Sequence, residues 1–186
     1  MIFRFLIILI TILPLKSFAL IEVDITRGNL NPLPMAVSPL SMDKSSKKEF
    51  KDILNQDDLG SKISEIVENN LKQSGLFNPL DKDAFLQKPD IAHLKPRFED
   101  WALIKAQALI TGKVTYADEK LRVEFRLWDV LAAKEIMALA FTTVPSNWRR
   151  VGHIITDKVY ERLTGEKGYF DTRIIYVAEE GPKTKR

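Results

Sequence analysis

Eight consecutive residues constrain the fold most: Leu121, Val123, Phe125 and Leu127 alternate with Arg122, Glu124, Arg126 and Trp128. Successive side chains of a strand point to opposite faces, so a period of two specifies a strand with one core face and one face that is wet or covered by a partner. The flanking segments are extended as well. Residues 108–116 lead into a turn at Asp118, Glu119 and Lys120, and residues 135–144 follow, which makes a three-stranded antiparallel meander. An apolar sheet face needs a cover, and the chain supplies helices for it. Leu59, Ile63, Ile66, Val67 and Leu71 fall at helical spacing behind the capping acids Asp57 and Asp58, and Gly75 marks the exit. A second helix is expected at about residues 98–107. A third follows Pro145 and Ser146, with Trp148, Val151, Ile155, Val159 and Leu163 inward and Gly165 as its stop. The expected fold class is α/β, a single layered domain in which a mixed sheet of about five strands is flanked by helices.

The remaining stretches are less regular. Residues 35–37 read as a short strand fenced by Pro32, Pro34 and Pro39. Residues 41–51, with Lys44, Lys47, Lys48 and Lys51 against few apolar residues, read as a surface loop. Phe77, Asn78, Pro79 and Leu80 read as a turn. Residues 172–178 are strand-like but have no evident partner, and an unpaired edge invites aggregation, so this strand is assigned to a following unit. Further forward, Ile21, Val23 and Ile25 alternate with Glu22, Asp24 and Thr26, a half-buried strand closed by Gly28 and Asn29.

Residues 1–19 have the pattern of an export signal: a short basic start ending at Arg4, an apolar run over residues 5–13, and small residues Ser17 and Ala19 at the cleavage positions. The run is too short to span a bilayer, which takes roughly 20 apolar residues. The expected mature protein begins at Leu20 and does not insert in a membrane. It contains no cysteine, so it has neither a disulfide nor a lipid-acceptor thiol. Loss of Arg4 and Lys16 takes two from the 28 basic residues and none from the 25 acidic ones, so the formal charge falls from +3 to +1. So small a charge supplies no global field for nucleic acid or a membrane surface.

No catalytic constellation is legible. The two histidines, His93 in a proline-flanked loop and His153 inside the last helix, have no second ligand at metal spacing, and no nucleophile elbow or phosphate-cradling loop is present. The adjacent acids Asp57 with Asp58 and Glu179 with Glu180 point in different directions. No enzyme, cofactor or metal site is expected. Trp128, Arg126 and Arg122 on one strand face, and Trp148 with Arg149 and Arg150, have the composition of a binding hot spot and also of ordinary amphipathic packing under a covering helix, and the packing reading is preferred. The N-terminal strand has two open uses as well: an edge strand of its own domain, or a segment that leaves and adds to the sheet of another protein.

Several blocks carry a family resemblance. Residues 34–39 (Pro-Met-Ala-Val-Ser-Pro), 70–77 (Asn-Leu-Lys-Gln-Ser-Gly-Leu-Phe), 157–165 (Asp-Lys-Val-Tyr-Glu-Arg-Leu-Thr-Gly) and 172–176 (Thr-Arg-Ile-Ile-Tyr) are similar to the TolB family, over essentially the whole chain after the signal. The resemblance implies a periplasmic, non-enzymatic part of the Tol-Pal envelope machine, which links inner-membrane TolA to the lipoprotein Pal. It supports outer-membrane integrity and invagination at cell division, and the same machine is used in protein import. It implies an anticodon-binding-domain-like fold over residues 20–168, then the stub of a β-propeller at 169–186, and it places the Pal site on the propeller. By position, the TolA-binding segment would be Leu20, Ile21, Glu22, Val23, Asp24, Ile25, Thr26 and Arg27. The alternatives are a truncated, non-functional form, an exported module with a different partner, and, from the fold alone, a nucleic-acid binder.

Overall fold

A computed structural model describes residues 31–172; the residues read as an export signal, those read as a strand at 20–27 and the segment from residue 173 onward lie outside the described residues. The elements are β1 (Leu33–Val37), β2 (Ser41–Met42), α1 (Lys44–Leu54), α2 (Leu59–Gln73), β3 (Phe77–Pro79), α3 (Pro89–Ala92), α4 (Phe98–Leu103), β4 (Ala108–Ala117), β5 (Lys120–Asp129), β6 (Lys134–Thr143) and α5 (Trp148–Thr164). Short 3-10 turns at Lys82–Ala84 and Pro145–Asn147 complete the list.

The expected α/β class and mixed, helix-flanked sheet are present, with six strands rather than about five. The order is β3-β1-β4-β5-β6, and β2 pairs with β4 beyond the end of β1. β1 lies parallel to β3 and β4, while β4, β5 and β6 form the antiparallel meander. The β4–β5 turn takes two residues, Asp118 (φ 52) and Glu119 (φ 58), both left-handed as a tight primed turn requires. β1 and β2 are one strand interrupted at Pro39, which has no N–H to give to a ladder. Ser64 of α2 repairs the gap: its Oγ accepts from Leu40 N–H (3.0 Å) and donates to the Ser38 carbonyl (3.1 Å).

The alternation in β5 does what its period dictates. Leu121, Val123, Phe125 and Leu127 are buried under α2 and α5, within a cluster that also holds Ile63, Leu71, Ile155, Val159 and Leu163. Each such side chain contributes about 1.5–3 kcal/mol by leaving water. Among the described residues the opposite sheet face is covered only in part. Residues 80–106 fold over the starts of β1 and β4 and the end of β5, around Trp101, Ala36, Leu109 and Val130.

The helix expected at about residues 98–107 stops at Leu103, and two further expectations fail. Residues 41–51 are not a loop but β2 and most of α1. Asp43 caps α1 by accepting from Ser46 N–H (2.7 Å), and Asn55 closes it in the left-handed conformation (φ 54). The lysines coat one face while Phe50 anchors the other, edge-on to Tyr116 at 5.4 Å. Phe77 is likewise not in a turn: β3 pairs in parallel with β1, Leu33 opposite Phe77. Asp58 is the α2 cap, through Ser61 N–H at 3.2 Å. Gly75 (φ 73) and Gly165 (φ 77) end α2 and α5 as read from the sequence.

Candidate interaction surface

The eight residues read as a partner-binding strand, Leu20 to Arg27, lie outside the described residues, so the structure speaks to their attachment only. The described chain enters at residue 31 and joins β1 directly, where Leu33 N–H donates to the Leu76 carbonyl at 2.9 Å. β1 lies between β3 and β4 and is itself bonded on both sides. The segment ahead of it is therefore rooted in the interior of the sheet.

The aromatic and arginine candidates separate. Trp128 is half-buried: its Nε1–H donates to Thr111 Oγ1 (2.9 Å), and its ring lies 5.8 Å edge-on to Phe98 of α4. It serves packing. Arg122 and Arg126 stay exposed and pair with Glu124 (2.8 Å) and Glu135 (3.0 Å). Surface pairs of this kind contribute about 0–1 kcal/mol each. Trp148 is buried at the start of α5 with the Arg149 guanidinium 4.3 Å from its ring centre. Arg150 turns away to Asp171, whose hydrogen-bonded carboxylate raises the pKa of the guanidinium.

The histidines are structural in their contacts. His153 Nδ1 stands 2.9 Å from the Asn70 amide nitrogen, which also donates to Thr156 Oγ1 (3.1 Å), so the pair helps bind α2 to α5. His93 Nδ1 lies 3.3 Å from the Pro89 carbonyl. Beside it, a cavity of about 270 Å³ opens on the uncovered sheet face among Leu94, Lys113, Glu124 and Arg126. Among the described residues no three His, Cys, Asp or Glu side chains group as a metal site, and no helix is long and apolar enough to cross a membrane.

One surface feature has no forecast in the sequence reading. β6 is bonded to β5 on one side and to no strand on the other among the described residues. It carries no charge from Ile136 to Thr143, and Leu139 on it is exposed. Native edges are usually blunted by lysine, proline or a bulge; among the described residues this one has Lys134 at its start and the irregularity at Leu127/Trp128. The uncharged run 136–148 is its signature in the sequence.

The comparisons with known proteins agree with this architecture. Residues 21–136 match the family model described as the TolB amino-terminal domain. The Tol-Pal system protein TolB of Pelagibacter ubique (strain HTCC1062) is 82% identical over all 186 residues, and the chain spans 42% of that relative's length. The crystal structure of TolB from Acinetobacter baumannii superposes with a TM-score of 0.58 at 22% identity, over 74% of this chain and 29% of that one, a likeness of fold. The chain belongs to the TolB family, through the amino-terminal domain of that family.

Proposed function

We propose that the chain is a periplasmic, non-enzymatic interaction component of the Tol-Pal system that engages TolA through its N-terminal strand. The single observation that carries this is the 82% identity, over the whole chain, to a Tol-Pal system TolB. Two features support it. The alternation of Ile21, Val23 and Ile25 with Glu22 and Asp24 suits a strand that adds to another sheet, its main chain giving affinity and its alternate side chains specificity. Residues 1–19 have the form of an export signal, which would deliver the domain to the compartment where this system works. In this reading the protein supports outer-membrane integrity and invagination during division. Pal is a partner of the propeller and is not assigned to these residues.

The test is calorimetric titration of the chain, begun at Leu20, into the periplasmic C-terminal domain of TolA from the same organism. Saturable binding that disappears when residues 20–27 are removed is the expected result. Binding of equal affinity without those residues would overturn the assignment of the site, and no binding by either form would overturn the TolA partnership.

A further inference from the structure

Residues 157–172 lie beyond the matched amino-terminal family domain and have no part in the proposed TolA contact. Their geometry points to a separate task. Gly165 ends α5 in the left-handed conformation, and the chain then doubles back along the same helix. The Asp157 carboxylate, on the solvent side of α5, receives two backbone amides of the returning strap: Phe170 N–H on Oδ1 at 2.7 Å and Asp171 N–H on Oδ2 at 3.1 Å. Asp171 answers with its own carboxylate, which accepts from Arg150 Nε (3.1 Å to each oxygen) and Nη2 (3.0 Å). Arg150 and Asp157 stand seven residues apart, two turns along one face of the helix.

Packing reinforces these bonds. Tyr169 and Phe170 stack at 4.5 Å, and both meet Tyr160 edge-on, at 5.5 and 5.8 Å. Tyr160 in turn meets Phe77 of β3 at 6.2 Å. At Gly168 a Cβ would overlap the Cα, Cβ and Oδ1 of Asp157, so the strap lies this close only because that position is glycine. α5 does not need any of this for its own seat, since Val151, Ile155, Val159 and Leu163 bury its other side.

We infer that Asp157 and Arg150 form a latch that fixes the direction of the chain at Thr172. A polypeptide joined there is oriented by α5 and the sheet rather than hung on a free linker. Two amides on one carboxylate are charge-assisted bonds, stronger than neutral ones, and the glycine approach makes the arrangement specific to this backbone.

Hydrogen exchange and spin-label distances test it together. Because the chain has no cysteine, Lys72→Cys and Thr172→Cys introduce the sole thiols for labelling. The expected result is that the Phe170 and Asp171 amides exchange roughly ten- to a hundredfold slower than unprotected peptide, with a narrow distance distribution. Asp157→Ala should release both amides by that factor and broaden the distribution while the Val159 and Leu163 amides keep their rates. Should Asp157→Ala also expose α5, Gly168→Ala, which changes nothing on the helix, must produce the same release. Unprotected Phe170 and Asp171 amides in the unmodified chain would overturn the latch, as would a narrow distribution that survives the variant in which α5 stays protected.

Discussion

Replacing Gln87 by methionine tests how the second sheet face is closed. Gln87 is 4% exposed, and its side chain makes three hydrogen bonds at once. Oε1 accepts from Trp101 Nε1–H (3.1 Å) and from Arg97 N–H (2.9 Å), and the amide nitrogen donates to the Lys95 carbonyl (3.0 Å). Methionine keeps the length and most of the volume, so packing is roughly conserved. The polar groups are not. Trp101, 1% exposed and set edge-on to Phe85, keeps an indole N–H with no acceptor, at about 1–3 kcal/mol. The bonds to Arg97 and Lys95, nearer to water, add about 1 kcal/mol together. The expected loss is therefore about 2–4 kcal/mol, or about 6–13 °C in Tm for a domain of this size. Trp101→Phe removes the orphaned donor. In that background Gln87→Met should cost about 1–2 kcal/mol less, a coupling that a double-mutant cycle of urea unfolding followed by circular dichroism resolves. A Gln87→Met chain within about 0.5 kcal/mol of the original, or equal losses in both backgrounds, would refute the reasoning.

Further outcomes follow from other contacts. Gly152 is where α5 meets α2, and a Cβ there would stand 2.9 Å from Ile66 Cγ2. Gly152→Ala should destabilise by about 0.5–2 kcal/mol, overpacking outweighing the better helix propensity, and the loss should shrink in an Ile66→Ala background, which removes Cγ2 but keeps the Ile66 Cβ 3.0 Å away, when both are measured by thermal melting. Asp43→Ala should cost about 0.5–2 kcal/mol through loss of the α1 cap. The Ser46 backbone N–H, with lesser help from the Ser46 hydroxyl and Lys113, lowers the Asp43 pKa below its ordinary 3.8. A carboxylate lowered on folding stabilises above its unfolded value and loses that contribution as pH falls through the folded one. The gap in Tm between the two chains should thus be constant at neutral pH and close as pH drops below about 4, modestly because Asp43 is largely exposed.

What was legible in the sequence was local in period. The alternation at residues 121–128 needs no distant partner to be read, and the stripe from Trp148 to Leu163 with its stop at Gly165 is likewise complete in itself. The failures share a cause. α1 has one deeply buried apolar side chain, Phe50, and its place is fixed by Tyr116, 66 residues on, whose N–H also donates to Ser46 Oγ (2.9 Å). β3 is three residues long and exists because β1 lies beside it, a pairing between residues 44 apart. Trp128 could be read as hot spot or core because its cover, Phe98, comes from another element. The latch was hidden for a related reason: Asp157 in isolation is a solvent-side helical acid, and only the return of the chain at Gly165 and Gly168 gives it amides to bind.

These attachments bear on how a linking protein carries load, on the proposed function. A pull on the segment ahead of residue 31 enters through β1, which is bonded in parallel to β3 on one side and β4 on the other. A load along the strand axis shears the ladder bonds together instead of opening them one at a time as it would at a frayed edge. β1 also buries Met35, Ala36 and Val37, so it cannot slide by one residue without turning its core side chains to the wrong face. At the other end the load leaves through the strap on α5, where the Asp157 and Arg150 bonds and the Tyr160 aromatic contacts share it. The path between them runs through the packed face of α2 and α5 on the sheet, with no loop in series. A domain built this way passes load from β1 to the strap on α5 through its packed core, so both attachments stay fixed to the sheet.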